Sequence, residues 1–440
     1  MPATAILLAA GLGTRMQSAL PKALHPIAGR PMLQHLIVSC AEVFERIVVV
    51  IGPDMPKLAV VAAPHAVVVQ QQRLGTAHAA LQAAELFGDD DVAVLYADNP
   101  LITPDTLRRL LARRRQGDAG LALLAMRPAD PGRYGRVIGA DGLVERIVEA
   151  IDASPSERAE GLCNAGVLCA RGPDLRRWLR AVGNANAKGE YYLTDVVGIA
   201  RAEGVRVAAV EAPFAELRGI NSRAELAEAE AAVQQRLRAA AMEAGVTMTA
   251  PETVFLCADT RLAADVSIAP NVVFGPGVVV ETGAEIRAFC HLEGCHVGPG
   301  ALIGPFARLR PGTVVGGGAH VGNFVELKAA VLGEGAKANH LSYLGDAEIG
   351  ARTNVGAGAI TCNYDGFGKY RTVVGAGVFV GSNAVLVAPV SVGDGAFIAA
   401  GSVITHDVAG DAMAFGRARQ EDKPGRAAEF RAARKKATGK

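Results

Sequence analysis

The chain has 440 residues, half of them hydrophobic, with 45 basic and 44 acidic side chains and a formal net charge of +1. That length allows two or more domains with separate cores, and so balanced a charge excludes a global field that would recruit nucleic acid or an anionic membrane. The seven cysteines (40, 163, 169, 257, 290, 295 and 362) are scattered and never form a CxxC pair, which argues against a disulfide framework or zinc site and for a reducing, cytoplasmic setting.

The chain opens on "MPATAILLAAG". It lacks the basic n-region of a secretory leader, and no later run approaches the roughly 18 apolar residues of a membrane helix. Residues 5–10, "AILLAA", form a strand that runs into the turn "GLGTRM". Beyond it, β-rich runs such as "RIVVVIG" (46–52) and "DVAVLYAD" (91–98) alternate with helical stretches such as "PDTLRRLLARRRQ" (104–116). That alternation predicts an α/β layered domain with a largely parallel sheet over residues 1–221.

Residues 222–245, "SRAELAEAEAAVQQRLRAAAMEAG", open on a Ser cap with Glu225 three positions on and end at glycine. They predict a linker helix whose thin apolar stripe spaces two domains rather than filling a core. Glycine then becomes dense: 21 of the 51 lie in residues 1–251 and 30 in residues 252–440. Apolar residues recur every sixth position at Val297, Ile303, Leu309, Val315, Val321 and Leu327, and again from Val374 to Ile404. A six-residue beat suits a parallel β-helix whose inward aliphatics stack coil upon coil. The register slips by one between Leu292 and Val297, at Leu332 and at Ile349, and "NYDGFGKYRT" (363–372) interrupts it. The tail after 422, with Lys435 and Lys436, reads as a solvated extension.

In the first turn, Gly11 and Gly13 match a dinucleotide fingerprint but position 16 is Met, and no GK[ST] follows Gly11 to make a Walker loop. What remains is a turn whose unhindered N–H groups can approach a nucleotide, with Arg15 and Lys22 behind it to neutralise phosphates. Two glycines alone are also what an ordinary strand-to-helix turn uses.

"LAAGLGTRM" together with "PKAL" (21–24) resembles the signature of sugar-1-phosphate nucleotidylyltransferases. From residue 5 to about 420 the chain is similar to the bifunctional N-acetylglucosamine-1-phosphate uridyltransferase/glucosamine-1-phosphate acetyltransferase family. The resemblance implies a Rossmann-like α/β nucleotidyltransferase domain, then a left-handed parallel β-helix of hexapeptide repeats (246–440), assembled as a homotrimer. It implies two reactions: N-acetylation of glucosamine-1-phosphate by acetyl-CoA, then uridylyl transfer from UTP with release of pyrophosphate. The alternative is a single-activity nucleotidylyltransferase with an oligomerising β-helix.

By the same resemblance Leu8, Ala9, Ala10, Gly11, Lys22, Gln70, Gly75, Thr76 and Tyr96 match nucleotide-binding positions, with Lys22 and Arg15 in catalytic roles. Asp98, ending a strand, and Asn221 match the ligands of Mg²⁺, a hard ion suited to oxygen donors. Gly135, Glu149 and Asn164 match the acetylated-sugar contacts, and Ala97 and Asn99 depart from the family's usual residues around the metal ligand. In the β-helix, His340 matches the general base, a role an imidazole suits at neutral pH, and Glu326 has the chemistry to orient it. Arg310 and Lys328 match groups that grip the sugar phosphate, and Tyr343 and Asn354 match sugar contacts. Ala357, Asn363, Tyr364, Ser382, Ala400 and Arg417 match contacts to acetyl-CoA.

Overall fold

Strands such as β1 (Ala3–Leu8) and β2 (Arg46–Ile51) are apolar almost throughout because parallel strands are covered on both faces. The computed structural model describes residues 2–186 and 188–438 and divides into two units, Met1–Leu237 and Arg238–Lys440. In the first unit, β1 and β2 join β3 (Ala66–Val69), β4 (Asp91–Tyr96), β5 (Leu121–Met126), β6 (Arg136–Ala140), β7 (Leu143–Val148), β8 (Cys163–Arg171) and β9 (Val207–Glu211). Among the described residues these nine form one sheet in the order β3-β2-β1-β4-β8-β5-β9-β7-β6. Two apolar layers cover it, one rich in Leu33, Leu36 and Leu107, the other in Phe87, Leu175 and Trp178.

The sheet is parallel from β3 to β4, as expected, but β8 enters antiparallel to both β4 and β5. Reversal brings the first residues of β8, Cys163 and Asn164, to the rim where β1 and β4 end. A Cβ at Gly166 (φ 76°) would lie 2.2 Å from the Tyr96 ring, so this position of β8 requires glycine to sit beside β4.

The helix Arg223–Glu243 is less of a spacer than its composition predicts. Its first turns pack on the first unit: Glu230 accepts from the Ala28 N–H (2.7 Å), and Ala229, Val233 and Gln234 are buried. The division between the units falls inside this helix, after Leu237.

The second unit is a parallel β-helix with three sheets, of ten, eight and eight strands among the described residues. Each strand is two to four residues long, and one coil separates partners: Ser267 pairs with Glu285, and Glu285 with Leu302. Each hexad supplies one inward aliphatic, so Ile268, Ile286, Ile303 and Val321 stack as a buried column. The five-residue steps in the sequence shorten a coil without breaking that stack. Residues 364–371 are ejected as a loop, Thr372 returns to the coil paired with Ala347, and Asn354 accordingly pairs with Phe379, a longer step. The tail after 422 is exposed to solvent, as expected, and within it Arg426–Thr438 is a helix with no buried residue.

Because each aliphatic in the column touches the coils above and below, a void there cannot be closed from one side. Ile303→Ala is expected to cost about 2–5 kcal/mol, read from chemical denaturation of the β-helix.

Candidate active sites

The first site forms where β1 and β4 end at the same level, Leu8 paired with Tyr96. The chain leaves β1 through Ala9, whose N–H still donates to Val50 O (2.7 Å), and turns at Gly13 (φ 64°). A Cβ there would lie 2.5 Å from Lys22 Cβ. The absence of a side chain therefore lets the lysine reach across the turn. Lys22 Nζ ion-pairs with Asp98 Oδ2 and donates to Asn221 Oδ1 (2.7 Å), which also accepts from Arg15 Nη2 (2.7 Å). Four expected residues from three distant stretches of chain thus meet at one point.

A cavity of about 570 Å³ opens beside them. Leu8, Ala9, Ala10, Gly11, Lys22, Gln70, Gly75, Thr76, Tyr96 and Asp98 all line it. Gln70 Nε2 donates to Gly75 O (3.1 Å) and faces His78 Nδ1 (3.0 Å). Only an amide nitrogen can face a carbonyl, so the Gln70 oxygen is left as an acceptor. Gly75 (φ 118°) is required by close approach: a Cβ would lie 2.5 Å from Tyr191 O.

Arg73 also lines this cavity, and residue-type reasoning missed it. Its Nε donates to Ala10 O (2.8 Å), while its buried Nη2 has no partner among the described residues. A cation within the Gln-rich run before Gly75 was the available signal. Ala97, in contrast, is buried in the core below the rim, and neither it nor Asn99 lines the cavity. The Ala97 methyl, one of the two departures from the family's usual residues, therefore packs in the core and makes no contact with the cavity.

Gly135, Glu149 and Asn164 lie together outside the large cavity. The Asn164 N–H donates to Gly135 O (2.8 Å), and a Cβ on Gly135 would lie 3.5 Å from Glu149 Oε1. Tyr96 joins the two groups, lining both the large cavity and a small hollow that holds Asn164. Burial pushes the Glu149 carboxyl above the usual carboxylate range, opposed by a hydrogen bond from Thr194 Oγ1 (3.4 Å).

In the β-helix, His340 ends the strand Lys337–His340, in register with Asn323 one coil earlier. Its Nδ1 lies 2.8 Å from Asn323 Oδ1. Since an amide oxygen only accepts, Nδ1 carries the proton and Nε2 is free to take one. Glu326 does not orient this histidine. It sits on another sheet, held by Arg310 (2.8 Å) and Arg308 (3.6 Å). Residues 14 apart lie on different sides of a three-sided coil, whereas the 17-residue step from Asn323 closes a full coil, a signal the slipped hexads contained.

The remaining residues fall on two corners. Down one run His340, Ala357, Ser382 and Ala400: Gly358 N donates to His340 O (3.2 Å), Asn383 N to Ala357 O (2.8 Å) and Gly401 N to Ser382 O (2.8 Å). Arg417 follows, its Cδ 4.0 Å from the position of a Cβ on Gly401. At another corner Lys328 Nζ lies 3.8 Å from Asp346 Oδ2, to which Asn363 Nδ2 donates. Tyr343 pairs in register with Glu326, placing it beside Arg310 and Lys328. Tyr364 begins the ejected loop, its hydroxyl donating to Gly366 O (2.6 Å). Lys369, which the sequence reading missed, sits in the same loop against Lys328, whose hydrogen bond and charge hold it below the usual lysine range. Asn354 lies apart from these cations, beside Lys337 on the sheet of His340.

Taken together, the α/β sheet with its rim cavity and the three-sided hexad coil define a nucleotidyltransferase domain joined to a hexapeptide transferase domain. Residues 5–171 match the MobA-like NTP transferase domain, and residues 371–406 match the bacterial transferase hexapeptide (six repeats). Bifunctional protein GlmU of Gluconacetobacter diazotrophicus is 70% identical to this chain, covering 100% of it and 96% of the relative. The GlmU proteins of Acidiphilium cryptum (67%; 97% of this chain and 98% of the relative) and Granulibacter bethesdensis (66%; 97% and 96%) are similar throughout. The chain belongs to the bifunctional GlmU family.

A raised carboxylate pKa penalises the fold when the group ionises. The penalty is absent at acid pH and sets in as pH rises through the ordinary carboxylate range. Glu149→Gln is therefore expected to leave the melting temperature unchanged at pH 3.5 and to raise it increasingly toward pH 7, measured by calorimetry.

Proposed function

We propose that this chain makes UDP-N-acetylglucosamine in two separate pockets. Glucosamine-1-phosphate is acetylated by acetyl-CoA on the β-helix (246–440), and the product receives a uridylyl group from UTP in the first domain (1–221). The observation that carries this reading is the gathering of Arg15, Lys22, Asp98 and Asn221 at the mouth of one cavity, while His340 and its partner Asn323 belong to a different unit.

In uridylyl transfer a sugar phosphate attacks the α-phosphorus and pyrophosphate leaves, so the protein's task is to position two anions and shield their charge. Lys22 and Arg15 face the phosphates, with the loop Leu8–Gly11 beneath the nucleotide. Gln70 offers its oxygen to the uracil N–H, and Gly135, Glu149 and Asn164 receive the sugar. Asp98 and Asn221 would hold Mg²⁺: their oxygens already share one cation, the Lys22 ammonium, and two hard oxygen donors leave coordination places for phosphate and water. When bound, the metal supplies further neutralisation of phosphate charge.

On the β-helix, His340 Nε2 takes the proton as the sugar amine attacks the thioester carbonyl, and coenzyme A leaves through its sulfur. Arg310, Lys328 and Lys369 hold the sugar phosphate, Tyr343 and Asn354 the sugar, and the small residues Ala357, Ser382 and Ala400 leave a path for the pantetheine arm toward Arg417. Asn363 and Tyr364 stand on the other corner. A site divided between two corners calls for a second copy, which supports a homotrimer with acetyl sites between subunits. An exposed ladder on the His340 corner supports it too: Phe289 stacks on Phe306 (4.9 Å) and Phe306 on Phe324 (5.2 Å), each with φ between 56° and 61°. Apolar residues in the left-handed region, stacked in solvent, are costly unless covered. Six buried thiols, none in a disulfide, fit the reducing cytoplasm, and no helix of the described residues is long and apolar enough to cross a membrane.

With glucosamine-1-phosphate, acetyl-CoA, UTP and Mg²⁺ supplied, thiol and pyrophosphate are followed separately. Asp98→Ala should abolish pyrophosphate release and spare thiol release, and His340→Ala should do the reverse when N-acetylglucosamine-1-phosphate is supplied for the uridylyl transfer. A wild-type protein that frees no thiol would leave the single-activity alternative. Lys22→Met, which removes the cation shared by Asp98 and Asn221, should bind Mn²⁺ more tightly than wild type without nucleotide, by titration calorimetry, while losing turnover.

A further inference from the structure

The position after Asp98 is asparagine, and its side chain turns away from the nucleotide cavity. Asn99 is 3% exposed, and its Nδ2 donates to Leu217 O at 2.5 Å. That carbonyl ends the four-residue helix Phe214–Leu217, where carbonyls have no partner within the helix. Three residues later Ile220 N donates back to Asp98 O (2.9 Å), and the next residue is Asn221. The two bonds therefore cross-link consecutive residues of one loop to the loop opposite, each bond adjacent to an oxygen donor of the proposed metal pair. Farther from the rim, Thr103 Oγ1 and Thr106 Oγ1 both donate to Glu216 Oε2 (2.8 Å each), tying the same two segments again.

We propose that Asn99 is a positioning residue that sets the separation of the Asp98 and Asn221 oxygens, and so the affinity of the nucleotide-transfer site for its divalent cation. This rests on the reading of Asp98 and Asn221 given above. Asn99 touches neither ion nor nucleotide; it acts through the Leu217–Asn221 segment. A side chain without an N–H leaves Leu217 O buried and unpaired, and the segment bearing Asn221 must move to find another donor. Loss of such an outer partner costs about 10- to 100-fold in metal affinity. The Glu216 tie joins Thr103 and Thr106, at the start of the helix Pro104–Arg115, to the helix Phe214–Leu217, and holds the segments together without fixing their register at the rim.

Mn²⁺ binding is measured on the full chain with UTP but no sugar phosphate, by electron paramagnetic resonance of the free ion. Asn99→Leu, with the same branching but without a donor, and Asn99→Ala are compared with wild type and with Thr103→Val. Both Asn99 variants should weaken Mn²⁺ binding by about 10-fold or more, with the KM for UTP at saturating metal and the rate of thiol release little changed. Thr103→Val should lower the melting temperature and leave Mn²⁺ binding intact. Should one Asn99 variant not fold, the other decides. Affinities within twofold of wild type for the folded Asn99 variants overturn the proposal, as does equal weakening by Thr103→Val, which would mean general loosening. A wild-type chain that binds no Mn²⁺ with UTP would instead sink the assignment of Asp98 and Asn221.

Discussion

Parallel pairing of strands is the constraint from which both units follow. A strand cannot turn back on itself to lie parallel to its own continuation, so the chain must travel elsewhere first. In the first unit that journey is a helix laid over the sheet, and strands β3 to β4 all end at one rim. In the second it is two more short strands around a triangle, and every third strand stacks on its predecessor. The first solution concentrates loops at one edge. The second distributes corners along a column, so that residues a coil apart become neighbours.

Each solution shapes its chemistry. At the rim, side chains from residues 15, 22, 98 and 221 converge because β1, β4 and the Leu217–Asn221 segment finish at the same level. A lysine satisfies two oxygen acceptors there and leaves a dense positive and negative cluster beside an open cavity, the arrangement expected where phosphate charge is handled. Along the β-helix, one corner carries an imidazole above a row of small residues and another carries the cations. Neither corner alone has everything an acetyl transfer needs, so oligomerisation and catalysis become one requirement in the proposed function.

Much of this was legible in residue order. The hexad beat fixes a coil because only a side of about six residues repeats its inward aliphatic at that interval, and the slips at Val297, Leu332 and Ile349 survive as shortened coils. Likewise Gly13 and Gly75 announce close approaches, and the resemblance through "LAAGLGTRM" picks out residues that prove to share a cavity. Local conformation and spacing are written in the chain because they depend on neighbours a few residues away.

The tertiary structure alone decided which distant residues touch. Asn323 rather than Glu326 meets His340, since the coil length sets the partner. The Arg73 guanidinium reaches Ala10 across two strands, Lys369 reaches Lys328 from an ejected loop, and the Asn99 amide faces Leu217. The antiparallel entry of β8, which delivers Asn164 to the rim, is equally invisible in a strand's own alternation of residues. Hydrogen bonds and ion pairs act over about 3 Å, and no periodicity in one dimension states which two points of a folded chain come that close.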